Sequence, residues 1–279
     1  MCKFCLKHGA GRKWYENVRN YSKELYEELN ATQWTMDHWR FGDKVYAESS
    51  MGLGRMLDDP VAAVGLREMT TELLHKDSGP RMFPEGHVCQ VITLEEAKNI
   101  VKIAGPIMRS QCVCRKFVRN KTENVCLNFF KHAEIAEMFP DHVPRGMKKL
   151  STEEAIAFLE EVNERGLVHN VTGAPVPYVG ALCNCHLPEC AILRPKVDLG
   201  VGSNLKGHYV AVVDIDECNG CKACLSRCQF GAMQFSHTLG RAQVNQWHCF
   251  GCGLCATACP QGAIRMVPRE ENPILSEVW

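Results

Sequence analysis

The stretch "DECNGCKACLSRCQFGAM" at 216–233 returns, 31 residues later, as "WHCFGCGLCATACPQGAI" at 247–264. Each copy spaces its thiols as C-x2-C-x2-C-x3-C: Cys218, Cys221, Cys224 and Cys228, then Cys249, Cys252, Cys255 and Cys259. A Gly-Ala pair and a following apolar residue coincide as well. Repetition of this kind means one small unit used twice.

Three cysteines on a tight loop can wrap one side of a cubic [4Fe–4S] cluster, and the fourth thiolate must come from elsewhere in the chain. In motifs of this spacing the fourth cysteine of each half serves the cluster of the other half. The expected ligand sets are therefore Cys218, Cys221, Cys224 and Cys259 for one cluster, and Cys249, Cys252, Cys255 and Cys228 for the second. Gly220, Gly251 and Gly253 suit a loop that must bring backbone N–H groups close to sulfur. A pair of zinc sites also uses C-x2-C, but two whole copies of the longer spacing speak against it. Over about 60 residues, with all eight ligand positions matched, the region resembles the bacterial two-cluster ferredoxins. The resemblance implies a pseudo-two-fold (βαβ)2 fold, with strands near "HYVAVVD" (208–214) and "RAQVN" (241–245). One position departs from the pattern. Pro260 follows Cys259, but Gln229 follows Cys228.

Working outward, the 17 cysteines of this 279-residue chain leave nine to explain. "QCVCR" (111–115) holds Cys112 and Cys114, Cys126 lies further on, and "LCNCHLPEC" (182–190) holds Cys183, Cys185 and Cys190. Six thiols on two turn-rich segments suggest a third metal site built from four of them. A third [4Fe–4S] cluster is favoured over zinc because the chain already commits to clusters, with zinc the alternative. Inert buried cysteines and a dithiol switch are the other readings. With "CVCR", "LCNC" and the repeated motifs together, the wider chain is similar to a group of 4Fe–4S ferredoxin-type proteins of strict anaerobes. Cys2 and Cys5 form a lone C-x2-C with His8 nearby, and Cys89 beside His87 is another candidate partner for a further metal there. The run Arg115, Lys116, Arg119 and Lys121 is read as a solvated face before it is read as a docking patch.

Elsewhere the chain divides by composition into an α+β whole. Residues 1–90 read as a helical N-terminal region, with Trp14, Val18, Tyr21, Leu25 and Leu29 forming a packing stripe. A Gly/Pro-dense loop at 77–86 marks its end. Residues 91–207 read as a cysteine-rich α/β region. There Thr93 with Glu96 and Ser151 with Glu154 signal two capped helices, stopped by Gly105-Pro106 and Gly166. "GLVHNV" and "YVGALC" follow as β-prone runs. Residues 208–268 are the two-cluster region, and 269–279 are a tail whose apolar residues either fold back or dock.

The composition is that of an ordinary globular chain, 46% hydrophobic and 23% charged with formal net charge zero. No global field steers it to nucleic acid. Loaded clusters near −2 each would take the net charge to roughly −4. No signal h-region and no long apolar run is visible, and so many thiols point to a reducing compartment, the cytoplasm. No G-x-G-x-x-G on a strand–turn–helix pattern occurs ("GLGRML" at 52–57 lacks a third glycine), and neither a Walker A loop nor a c-type haem motif is found. The expectation is an electron-transfer protein, more a subunit or dedicated carrier than a stand-alone enzyme, whose partner is a flavin- or metal-containing oxidoreductase. The alternatives are an iron–sulfur enzyme with an open metal position in the middle region, or a redox-sensing or assembly protein.

Overall fold

The computed structural model describes residues 1–37, 40, 88–136, 138–139, 147–173, 175–199, 204–276 and 278. The expected loop at 77–86, "GLGRML" at 52–57 and His87 lie outside the described residues.

The N-terminal stripe is not one helix. After α1 (Lys3–His8) come two short 3-10 turns, Trp14–Glu16 and Val18–Tyr21, then α2 (Lys23–Glu28) and α3 (Ala31–Asp37). Asn17 and Ser22 interrupt it: both are extended, with ψ of 111° and 151°, and their side chains accept from Arg19 N–H and Leu25 N–H. Local side-chain acceptors of this kind compete with a continuous helix and restart it instead. Trp14, Tyr21 and Leu25 are buried, whereas Val18 points to solvent.

The middle of the chain builds a seven-stranded mixed sheet in the order β4-β2-β3-β6-β5-β1-β7. Its strands are β1 (Val88–Val91), β2 (Ile107–Ser110), β3 (Cys126–Phe129), β4 (Lys148–Leu150), β5 (Val168–Gly173), β6 (Val179–Cys185) and β7 (Asn204–Leu205). Every pairing is antiparallel except β1 with β7. β1 spans the boundary expected at residue 90, and the N-terminal segment is tied to it. Trp14 Nε1 donates to Gln90 Oε1 at 2.7 Å, and the Tyr15 hydroxyl donates to Glu96 at 2.8 Å.

Helices α4 (Leu94–Ile103) and α7 (Thr152–Glu164) both start on complete capping boxes, at Thr93–Glu96 and Ser151–Glu154. Each N-cap contributes about 1 kcal/mol. α7 ends before Gly166, whose φ of +83° suits only glycine well. The two helices pack with Leu127, Phe129, Val171 and Leu182 of the sheet into the main core. Between β2 and β3 lies α5 (Val113–Arg119), and α6 (Phe130–Ala136) and α8 (Leu193–Leu199) flank the sheet further along.

The C-terminal unit runs β8 (Tyr209–Val213), α9 (Ala223–Arg227), β9 (Met233–Ser236), then β10 (Arg241–Val244), α10 (Leu254–Thr257), β11 (Ile264–Pro268). β8 pairs with β11 and β9 with β10, both antiparallel. The tail folds back onto this unit through Leu275, while Ile274 remains exposed. Among the described residues no helix is long and apolar enough to cross a membrane.

Candidate metal centres

In the repeated unit, the loops before α9 and α10 are held by positive-φ residues at equivalent steps: Gly220 (+74°) with Gly251 (+76°), and Lys222 (+66°) with Gly253 (+79°). A Cβ on Gly220 would sit 2.3 Å from the Gly240 carbonyl oxygen, and one on Gly251 would sit 2.2 Å from that of Tyr209. Glycine is therefore required twice by close approach as well as by φ. The loops fold around two cavities. Cys218, Cys221 and Cys224 line the first together with Cys259, Ala242 and Ile264. Cys249, Cys252 and Cys255 line the second together with Cys228, Phe230 and Phe250. Backbone N–H groups reach sulfur in the second, Ala211 to Cys249 at 3.5 Å and Ala232 to Cys228 at 3.2 Å.

The chemistry of these donors fits a polyatomic cationic core. Burial pushes the Cys252 thiol up, and burial with the neighbouring Cys249 pushes Cys255 up to about 12. Such thiols ionise only beside positive charge. Nor are the eight sulfurs drawn together for a single ion. Among the described residues, the group of three ligand atoms mutually within 4.8 Å is Cys2, Cys5 and His208.

Chain order scatters the six middle thiols, and the sheet gathers them. Cys183 and Cys185 alternate onto one face of β6. Cys126 on β3 lies opposite Cys183, since Leu127 pairs with Leu182 in an antiparallel register. Cys112 and Cys114 open α5 immediately after β2, and Cys190 arrives on the turn after β6. Each sulfur then influences the ionisation of two others, so that the six neighbour one another around a ring: Cys112, Cys114, Cys190, Cys185, Cys183, Cys126 and back to Cys112. A neighbouring thiol is the largest influence on the ionisation of every member, so the six behave as one coupled set. No subset of four stands apart from the other two.

Arg115 is not on a solvated face. It is buried, with ion pairs to Glu123 at 2.6 Å and Glu189 at 3.5 Å. Burial opposes its charge, but Cys112, Cys126 and Glu123 outweigh that and raise its pKa. The sequence signal was available only in hindsight, as a cation directly after C-x-C. Lys116, Arg119 and Lys121 are outside the core. Two buried amides near the ring have no hydrogen-bond partner: Gln111, next to Cys112, and Asn170, opposite Cys183 in the β5–β6 register.

Among the described residues, neither His8 nor Cys89 supplies a ligand atom grouped with those of Cys2 and Cys5. Their neighbour is His208, a residue with no local motif to flag it. The ring of His8 packs on Phe4, and Cys89 contacts the Thr172 hydroxyl at 3.4 Å. That hydroxyl also reaches Cys183 at 3.7 Å, which places Cys89 one side chain from the ring.

The ring and the second cavity share an apolar cluster. Cys185, Cys190, Val168 and Leu193 pack with Phe250, Cys252 and Leu254, with Phe230 against them. Phe230 and Phe250 stack at 4.2 Å between centroids.

Residues 217–263 match the 4Fe-4S dicluster domain family. The chain thus contains a dicluster domain within a larger protein, and the two C-x2-C-x2-C sets mean two [4Fe–4S] clusters. No curated protein matches the chain.

Proposed function

We propose that the chain is an electron-transfer protein in which the dicluster domain exchanges single electrons with a third metal centre held by the six-thiol ring. Each [4Fe–4S] cluster, when bound, takes up and releases one electron at a time. The chain's own residues hold and separate these stations. Cys218, Cys221, Cys224 and Cys259 are the ligands of the first cluster, and Cys249, Cys252, Cys255 and Cys228 those of the second. Four of Cys112, Cys114, Cys126, Cys183, Cys185 and Cys190 hold the third centre, favoured as iron–sulfur over zinc. Phe230 and Phe250 exclude water between the second cavity and the ring.

The observation that carries this reading is the shared apolar cluster, with Cys185 and Cys190 on one side and Cys252 on the other. It sets a direction along the molecule. The first cavity, where Cys221 is exposed, suits exchange with a partner, whereas Cys112, Cys126, Cys185 and Cys190 of the ring are buried. The partner is a flavin- or metal-containing oxidoreductase of anaerobic metabolism, in the cytoplasm. A second reading, an enzyme with an open metal position at the ring, is favoured by the unpartnered amides of Gln111 and Asn170. An iron with a water ligand in that centre would mark it.

Iron and sulfide counts on anaerobically purified protein test the proposal. Two cubanes account for about eight irons, and a third cluster raises this to about twelve. Eight irons with the six thiols freely alkylated in the folded protein would overturn the third centre and leave a dicluster carrier.

A further inference from the structure

Among the described residues, one cluster of metal-ligating side chains lies outside the dicluster cavities and the ring. Cys2 Sγ lies 3.3 Å from Cys5 Sγ, and Cys5 Sγ lies 3.3 Å from His208 Nε2. All three residues are buried, and their ligand atoms fall mutually within 4.8 Å. A tetrahedral zinc with arms of about 2.3 Å to sulfur and about 2.0 Å to nitrogen has ligand–ligand edges of roughly 3.5–3.8 Å. The spacing is that of a single ion. It is too tight for a cubane, and among the described residues no three of the dicluster sulfurs fall mutually within 4.8 Å.

We propose that Cys2, Cys5 and His208 form a zinc site that staples the N-terminal helix to the first strand of the dicluster unit. Two thiolates and an imidazole are a donor set that zinc accepts in tetrahedral geometry, with the fourth corner left to a water or another exogenous ligand. Main-chain N–H groups already point at the sulfurs, Cys5 N to Cys2 Sγ at 3.4 Å and Trp14 N to Cys5 Sγ at 3.4 Å. His208 is held from the other side by buried Arg269. The Arg269 backbone N–H donates to the His208 carbonyl at 2.7 Å. Its guanidinium donates to the carbonyls of Gly207 at 2.9 Å and Tyr209 at 3.1 Å. The Tyr15 ring lies 6.0 Å from the imidazole. Both halves of the site are therefore positioned by backbone and core contacts before any ion arrives. Cys5 and His208 are 203 residues apart, so an ion here would lock the start of α1 to the residue that leads into β8 through one inorganic bridge.

The test is zinc and iron content of full-length protein prepared anaerobically, wild type against Cys5→Ser, His208→Ala and His208→Cys. The expected wild type carries about one zinc per chain at this site. Cys5→Ser and His208→Ala should lose about ten-fold or more of that zinc while iron and sulfide stay unchanged, and His208→Cys should keep it. Any zinc in the six-thiol ring would persist in all three variants, so the difference between proteins isolates this site. Reconstitution with Co(II) should give a thiolate-to-cobalt absorption in wild type and His208→Cys but not in Cys5→Ser. Should a variant not fold, alkylation of native wild type decides: Cys2 and Cys5 should react only after a chelator is added. Equal zinc in all four proteins, a Cys2–Cys5 disulfide, or immediate alkylation of both thiols would overturn the site.

Discussion

Gln229 and Pro260 occupy the same step of the repeat, directly after the last cysteine of each half, and Gln229 has a structural use that proline could not supply. Its Oε1 accepts from Leu187 N–H at 2.6 Å, and its Nε2 donates to the Gly166 carbonyl at 2.5 Å. The cysteines just before these two residues carry the sharpest residue-scale prediction. Cys228 lines the cavity of the second motif and Cys259 that of the first. Cys228→Ala should therefore abolish or convert the cluster held by Cys249, Cys252 and Cys255, and Cys259→Ala the one held by Cys218, Cys221 and Cys224. EPR of the reduced variants reads this directly, since each should lose one of the two cubane signals. Loss of the signal belonging to the mutated half itself would refute the exchange. His169, by contrast, is a buried histidine on β5 with its Nδ1 on Asn184 Oδ1 at 2.7 Å. Burial lowers its pKa to about 4. Between pH 6.5 and 4 the unfolded chain binds this proton and the folded one does not. Stability is fully present above about pH 6.5 and falls as the pH drops through that window. Measured by urea midpoints between pH 7 and 5, His169→Gln should flatten the slope, and an unchanged slope would count against it.

At the scale of elements, contacts from α7, its following turn, the turn after β6 and β1 hold the dicluster unit and the segment leading into it on the sheet. Besides Gln229, Asn163 Nδ2 donates to Thr257 Oγ1 at 3.2 Å, and Gln90 Nε2 donates to the Lys206 carbonyl at 3.0 Å. Gln229→Pro would restore the repeat's symmetry but remove both side-chain bonds and leave Leu187 N–H without this acceptor. A typical cost is about 1–3 kcal/mol. Iron content should be unchanged, while hydrogen exchange at the Leu187 amide speeds up. Loss of a cluster instead would show that Gln229 shapes the ligand loop and not the interface. The capped helices were legible from their Ser/Thr-x-x-Glu signatures because capping is local chemistry. The packing stripe at 14–29 is legible from apolar spacing, but its breaks are not, because Asn17 and Ser22 redirect the backbone through their own side chains.

For the whole molecule, the proposed arrangement puts the more exposed thiol, Cys221, at the dicluster end, whereas four of the six ring thiols are buried. The first cavity is near solvent at Cys221, and the ring lies behind Phe230 and Phe250. Arg115, buried in ion pairs, no longer contributes to a basic docking surface. A partner would therefore be recognised mainly at the dicluster end, where acidic loaded clusters favour a basic counterpart. An anaerobic pull-down should retain a flavin- or metal-containing oxidoreductase, and binding should weaken as salt rises through the range where surface charge is screened. Retention that ignores salt, or a lone monomer exchanging electrons with any low-potential carrier, would contradict this arrangement.

Ligand spacing that closes within a dozen residues is written in the chain, because a tight loop around a cluster constrains its own neighbours. The two dicluster motifs and the glycines at 220 and 251 are legible for that reason, and the capping boxes and the β-prone runs at 166–171 and 178–183 from local side-chain pattern. The six thiols announced themselves by number, but not that they form one closed ring. That depends on the antiparallel register placing Cys126 against Cys183, and a one-residue slip would send them to opposite faces. His208 could not be paired with Cys2 and Cys5 from sequence at all. The burial of Arg269 beneath β8 sets where that imidazole lies, and only the folded chain brings together residues separated by most of its length.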